Sequence, residues 1–357
     1  MATAVTAITD YAQTYPLNAI LAVDDSCALL AAEAAKVLGL SHNNPDAALA
    51  ARDKLVMRTM LQAGGCRVPH FRRFTLADDP AQVADYVSYP CVVKPLALSG
   101  SRGVIRANNP GELAAAITRL GRILHKLSPE AERPFLVEDY IPGIEVALEG
   151  MLDNGELHLL ALFDKPDPLE GPFFEETIYV TPSRLPDAVQ QDILAATVQA
   201  AQALGLRTGP VHAELRVNEQ GAWLVELAGR SIGGLCSQTL RFGVDASLEE
   251  LILRQAAGLG LGDTARQKSA SGVMMIPIPE GGLLRGYSGV DEAEAVPLIE
   301  SAEITAPLNN TVTPLPEGES YLGFIFARGE TAVAVEAALR EAHEQLHFEI
   351  TPIIRLN

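Results

Sequence analysis

Residues Gly209–Gly234 read GPVHAELRVNEQGAWLVELAGRSIGG, and the fold turns on how this stretch is read. Two runs are read with period-two alternation, Val211–Val217 and Ala222–Leu227, and the turn-forming Asn218-Glu219-Gln220-Gly221 lies between them. Period-two alternation across such a turn predicts a β-hairpin. With Val217 opposite Trp223, Glu214 falls opposite Glu226. Strand side chains alternate faces, so His212, Glu214 and Arg216 share one face with Leu224, Glu226 and Ala228. Val211, Ala213, Leu215, Val217, Trp223, Val225 and Leu227 then form the buried face. Facing carboxylates repel and need a cation between them. Oxygen ligands with few protein contacts suit Mg²⁺, whose other positions go to water and phosphate. Arg230 follows at the exit of the second strand, in reach of an anion held by that metal. The competing reading is a hairpin with a solvated polar face, and a one-residue slip would part the two carboxylates.

The whole chain sets the limits. Its 357 residues suffice for two or three cores, and 48% apolar with 20% charged residues is a globular composition. A net charge of −18 argues against a nucleic-acid surface or an anionic-membrane surface. It leaves room for an anionic ligand, because a metal and a few placed cations reverse the local field. Cys27, Cys66, Cys91 and Cys236 are far apart and read as small buried residues of a reducing compartment. The first basic residue is Lys36, so no charged leader region is expected, and no apolar run reaches the roughly 20 residues of a spanning helix. The expected location is the cytoplasm.

Upstream of the hairpin, Asn18–Val23 is a strand candidate, Asp24-Asp25-Ser26 offers a cap, and Ala28–Leu38 a helix closed by Gly39. A second helix is expected from Pro45 to Ala63, then strands near Phe71–Thr75 and Cys91–Pro95. Lys94–Val104 reads KPLALSGSRGV, a small-residue loop in which Gly100 and Gly103 allow backbone amides close to an anion and Lys94 adds a charge. It is neither GxGxxG nor a GK[ST] loop, and an ordinary flexible loop is the competing reading. A helix over Glu112–Leu127, strands over Phe135–Ile141 and Glu145–Met151, and a hairpin at Asp153-Asn154-Gly155 follow. The Pro-rich FDKPDPLEGPFFEETIYVTPSRLP is expected to face substrate, and a helix over Asp187–Leu204 leads back to the hairpin. After a helix at Leu248–Ala257, a smaller α+β unit is expected from Ser269. Its strands lie at Gly272–Ile278, Ala302–Ala306, Ser320–Ala327 and Phe348–Leu356, with a helix at Thr331–Leu346. His343-Glu344-Gln345-Leu346-His347 fits a HExxH zinc pattern, but the helix breaks at once and only ten residues remain for a third ligand, so a solvated helix end is expected.

Singly these signals are weak, but their order is distinctive. The order runs Lys54 on a helix, Val93-Lys94-Pro95, the Ser/Gly loop, Val137-Glu138-Asp139-Tyr140-Ile141-Pro142-Gly143-Ile144-Glu145, Glu214, then Glu226-x-x-x-Arg230. That order resembles the ATP-grasp carboxylate–amine ligases, over about residues 45–260. The C-terminal unit and Phe163–Glu176 resemble the L-amino acid ligase (dipeptide synthase) branch.

The resemblance implies an α+β ATP-grasp fold, two α+β subdomains clamping ATP. Residues 1–50 would be a partial N-terminal α/β segment, 51–145 the small subdomain with the phosphate loop, 146–265 the large subdomain with the metal hairpin, and 266–357 a C-terminal α+β lid subdomain. Relatives usually carry a longer α/β domain before the Lys54 helix. The implied roles place Lys54 and Lys94 on the ATP phosphates, with Ser99, Gly100, Ser101 and Gly103 in the loop that closes over them. Glu138 and the backbone of Asp139 and Ile141 would hold adenine, Glu145 the ribose, Glu214 and Glu226 Mg²⁺ (or Mn²⁺), and Arg230 the transferred phosphoryl group. A small-molecule carboxylate would be activated as an acyl phosphate and joined to an amine, releasing ADP and phosphate. No nucleic-acid or membrane partner is implied, and a homodimer is the assembly left open.

Many relatives have Asn two residues after the second metal carboxylate, where this chain has Ala228. The rival readings are a carboxylase or purine-type ligase and a non-catalytic ATP-binding protein. Glu175 and Glu176 are candidates for a substrate ammonium, and His158 and His212 for either pocket or core.

Overall fold

The computed structural model describes residues 1–127 and 133–353. In chain order the elements are α1 (Ala2–Thr14), α2 (Asp25–Leu38), α3 (Pro45–Ala50), α4 (Lys54–Ala63), β1 (Phe71–Thr75), α5 (Pro80–Ala84), β2 (Cys91–Pro95), β3 (Ile105–Ala107) and α6 (Pro110–Leu127). Next come β4 (Pro134–Asp139), β5 (Ile144–Asp153), β6 (Glu156–Asp164), β7 (Ile178–Thr181), α7 (Asp187–Leu204), β8 (Gly209–Asn218), β9 (Gly221–Ala228) and α8 (Leu248–Ala256). The chain closes with β10 (Ala270–Ile276), β11 (Gly282–Ser288), α9 (Val290–Glu294), β12 (Ile299–Ile304), β13 (Thr311–Val312), β14 (Gly323–Gly329), α10 (Ala332–Glu344) and β15 (His347–Thr351). The tail beyond residue 353, which the expected last strand entered, lies outside the described residues.

Two compact units share the chain. The first comprises Met1–Val68, Glu145–Phe163 and Leu185–Lys268, and the second Pro69–Ile144, Asp164–Arg184 and Ser269–Asn357. In the first, strands run in the order β6-β5-β8-β9. One face of this sheet is apolar, with Val146, Leu148, Val211, Ala213, Leu215, Leu224 and Leu227 packed under α3, α4 and α7. Close approach is built in at Gly64, where an added Cβ would lie 2.5 Å from the Cβ of Ala203 in α7.

The second unit holds an antiparallel sheet β1-β4-β2-β3 covered by α6, a run β12-β14-β10-β7 covered by α10, and a small sheet β13-β11-β15. Ile178 and Val180 of β7 share one core with Met274, Ile325, Val335 and Leu339.

Three sequence expectations change. Asn18–Val23 is not a strand: these residues have no ladder partner, Val23 is 92% exposed, and they form an irregular link between α1 and α2. The single helix over Pro45–Ala63 is two, because Asp53 turns extended and caps α4, accepting from the amides of Leu55 and Val56. Within the Pro-rich segment, Ile178–Thr181 is a buried strand and not loop.

Candidate active site

The β8/β9 hairpin brings Glu214 opposite Glu226, as the alternation predicts, but by another route. At the turn, Asn218 pairs with Gly221 and Val217 with Ala222, one residue out of the expected register. A bulge at Val225 inserts the missing residue, so Leu215 faces Leu224 while Glu214 faces Glu226. The buried face is corrected accordingly: Ala222, Leu224 and Leu227 point into the core, and Trp223 and Val225 do not. A bulge leaves ladder groups unpaired, and here buried Arg58 of α4 donates to the Val225 carbonyl at 2.6 Å.

The opposite face of this sheet carries the charges. Lys54, first residue of α4, places Nζ 3.0 Å from Glu226 Oε1. Glu145 and Arg216 form a buried pair at 2.9 Å, and a Glu145 oxygen lies within 4.8 Å of one from Glu214. His212 stands between two carboxylates, Nδ1 at 3.3 Å from Glu149 and Nε2 at 3.5 Å from Glu214. Burial would lower the imidazole pKa, but hydrogen bonds to Glu149 and Glu214 outweigh it and raise it to about 9. Glu149 is fully buried, and burial pushes its carboxyl up against the opposing pull of His212, the Ile232 amide and Arg230. Ala228 sits opposite His212 and offers no oxygen.

Arg230 is held at 2.7 Å by Asp25, first residue of α2, and donates to the Ser231 carbonyl. Burial would lower its pKa, yet Asp25, Glu226 and Glu214 overcome this and raise it, so the guanidinium lies in the field of both facing carboxylates. The sequence reading missed Asp25 as a partner: Asp24 does the capping, accepting from Ser26, which leaves Asp25 for Arg230. A doubled acid at the cap was the available signal.

Glu214 and Glu226 are each part-exposed carboxylates on one face, a hard oxygen donor set that fits Mg²⁺. Lys54 and His212 meanwhile screen the repulsion that the hairpin creates.

The second unit has its own constellation. Lys94 on β2 and Glu138 on β4 form a buried pair at 2.8 Å. They lie on the face opposite the Cys91–Val93–Phe135–Val137 core, beside the apolar cluster of Val92, Val104, Leu169, Phe174 and Tyr140. The Tyr140 and Phe174 rings stack at 6.4 Å, with Arg106 over Tyr140 at 4.1 Å. Aromatic faces on the side of the sheet that carries a buried carboxylate suit a planar base. The Asp139 amide donates to the His70 carbonyl at 2.9 Å; Ile141 follows β4 at the mouth of this face.

In the small-residue loop, Gly100, Ser101 and Gly103 take positive φ (60°, 53° and 73°), which turns successive amides to one side. Arg102 anchors the loop, reaching the Glu319 carboxylate at 3.0 Å and the Glu317 carbonyl at 3.1 Å, and the Gly103 amide donates to Pro316. Ser99 accepts from the Arg102 amide. Arg119 of α6 grips Glu317 through both carboxylate oxygens at 2.7 and 2.8 Å. Further on, Lys165 pairs with Glu176 at 2.6 Å, and burial raises the Glu175 carboxyl although the Ile278 amide bonds to it. The HExxH pattern dissolves: α10 ends at Glu344 and His347 opens β15, so the two histidines do not share a helix face.

Known proteins resemble this chain in sequence and fold. Residues 87–239 match the ATP-grasp domain family and residues 274–351 the L-amino acid ligase C-terminal domain 2 family. The chain is 30% identical to the alanine–anticapsin ligase of Bacillus amyloliquefaciens over 60% of its own length and 49% of that protein. It is 26% identical to the D-alanine–D-alanine ligase of Paracidovorax citrulli, over 67% of this chain and 72% of that one. The crystal structure of an L-amino acid ligase from Bacillus licheniformis superposes with a TM-score of 0.83 at 24% identity, covering 98% of this chain and 85% of the other. The chain spans between about half and just under two thirds of the length of the first curated relatives it matches. Its fold is the ATP-grasp fold. Along the chain, the match to the ATP-grasp domain family is followed by the match to the L-amino acid ligase C-terminal domain 2 family.

Proposed function

We propose that this chain is an ATP- and Mg²⁺-dependent carboxylate–amine ligase acting on amino acids. The observation that carries the reading is the bulged hairpin, which sets Glu214 against Glu226 with Arg230 in the field of both. In this reading Glu214 and Glu226 hold the ion, which, when bound, draws charge from the phosphates. Mn²⁺ has the same oxygen preference and is the expected substitute. Glu138, the backbone of Asp139 and Ile141 and the Tyr140–Phe174 rings hold the base, and Glu145 the ribose. Lys94, Lys54 and the Ser99–Gly103 loop bind phosphate oxygens.

Phosphoryl transfer asks a protein mainly for placement and charge stabilisation. The substrate carboxylate attacks the γ-phosphate, ADP leaves, and Arg230 balances the charge on the moving phosphoryl group. An amine then attacks the acyl carbon and phosphate departs. Residues 51–145, 146–265 and 266–357 keep the roles of small subdomain, large subdomain and lid. Glu175 and Glu176 stay the candidates for a substrate ammonium, Glu176 in competition with its partner Lys165. Among the described residues no helix is long and apolar enough to cross a membrane. We place the protein in the cytoplasm on its four thiol cysteines, which suit a reducing compartment. A homodimer is the assembly we propose.

The test is phosphate release from Mg·ATP with single amino acids and then pairs. Release that needs two amino acids supports the reading and names the substrates. Release with one amino acid plus hydroxylamine shows the acyl phosphate. Stimulation by bicarbonate or a ribotide instead would replace it with the carboxylase or purine-type reading.

A further inference from the structure

On the polar face of the first unit's sheet, most charges have an obvious partner in the proposed chemistry. Glu149 does not. It is fully buried on β5, no proposed substrate touches it, and an ionisable group is costly to keep there unless it is engaged. It is engaged twice: both oxygens accept from the Ile232 amide at 3.1 Å, and Oε2 lies 3.3 Å from His212 Nδ1. His212 then reaches Glu214 with its other nitrogen at 3.5 Å. Ile232 lies two residues beyond Arg230. One buried carboxylate therefore touches, through a single intermediary each, the strand that carries Glu214 and the loop that carries Arg230.

We infer that Glu149 and His212 are positioning residues, the buried carboxylate fixing the ring of His212 and the ring fixing the carboxylate of Glu214 for the metal. This rests on the proposed metal role of Glu214. Both ring nitrogens face carboxylates, so rotation of the imidazole would break two contacts at once. Partners that orient a ligating carboxylate are worth roughly 10- to 100-fold in metal affinity.

The experiment uses Mn²⁺ with ADP, so that nothing turns over, and reads free Mn²⁺ by electron paramagnetic resonance. Adenosine affinity is measured alongside as a metal-independent control. His212→Asn keeps an amide nitrogen where Nδ1 sits, satisfying Glu149, but is too short to hold Glu214. His212→Gln places its nitrogen near Nε2 and retains Glu214. The expected result is Mn²⁺ affinity roughly 10- to 100-fold weaker in the Asn variant, closer to wild type in the Gln variant, and adenosine affinity unchanged in both. Glu149→Gln, matched in shape and leaving His212 against Glu214, should fall between the Gln and Asn variants of His212. Equal Mn²⁺ affinity in wild type and His212→Asn overturns the inference, as does an Asn variant that fails to fold, since the pair would then be structural only. The parent reading fails separately: wild type without Mn²⁺ binding, or a Glu214→Gln variant with full binding, would remove the metal role itself.

Discussion

Arg230 meets its counter-charges from three segments: Asp25 at 2.7 Å, and Glu214 and Glu226 through their fields. A guanidinium so held is pre-oriented, and a group that acts on charge present only during reaction affects turnover more than ground-state binding. Arg230→Ala should therefore lower kcat by about 10²-fold or more with little change in ATP affinity, read from steady-state kinetics beside a binding titration. Lys94 differs because its partner Glu138 is almost wholly buried. Lys94→Ala takes a cation away from that buried carboxylate and should cost about 3–5 kcal/mol in urea unfolding as well as raising the KM for ATP. An accompanying Glu138→Leu should recover part of the stability and none of the ATP binding. Lys54 was legible as a basic residue on a helix, but its contact with Glu226 was not, because 172 positions of chain separate the two.

Among the elements, those with strong local signals lie where the sequence puts them. The helix Asp187–Leu204 ends at Gly205, which takes φ 77°, and the strands Phe71–Thr75 and Cys91–Pro95 match residue for residue. The misses have local causes of another kind. Asp53 could continue a helix or cap one, and only the buried pairing of Lys54 and Arg58 with the hairpin decides for the cap. The bulge at Val225 falls in Ala222-Trp223-Leu224-Val225, four apolar residues in a row, where alternation does not fix the register. Arg58→Met should remove the donor to the Val225 carbonyl, costing about 1–3 kcal/mol in urea unfolding, and should weaken Mn²⁺ binding as the bulge relaxes. The contact between α6 and the Pro314–Glu319 turn is testable by pH. Hydrogen bonding to Arg119 holds the Glu317 carboxyl below its ordinary value of 4.5. A lowered carboxyl stabilises the folded state fully above its ordinary value, and that contribution is lost as pH falls through the lowered one. The urea midpoint of wild type should thus exceed that of Arg119→Gln at neutral pH and converge with it in acid.

At the scale of the molecule, the two units are interleaved along the chain, so neither is a simple stretch of sequence. Residues Ser269–Asn357 are not an independent appendage in packing, because Ile178 and Val180 fill the same core as Ala270, Met274, Ile276 and Leu339. A chain ended at Lys268 should leave that face of β7 bare and aggregate on expression, with gel filtration as the check. What the sequence determined was local: turn and cap chemistry, the strands of the hairpin, and that Glu214, Glu226 and Arg230 lie on that hairpin and its exit; that the two carboxylates face each other rests on the bulge. Those features depend on neighbours within a few residues, where backbone geometry leaves few choices. The tertiary structure decided the partners: Asp25 for Arg230, Lys54 for Glu226, Glu149 for His212, and the bulge that corrects the register. Such contacts are set by how sheets and helices pack across more than sixty positions of chain, and no spacing within one sequence encodes that packing.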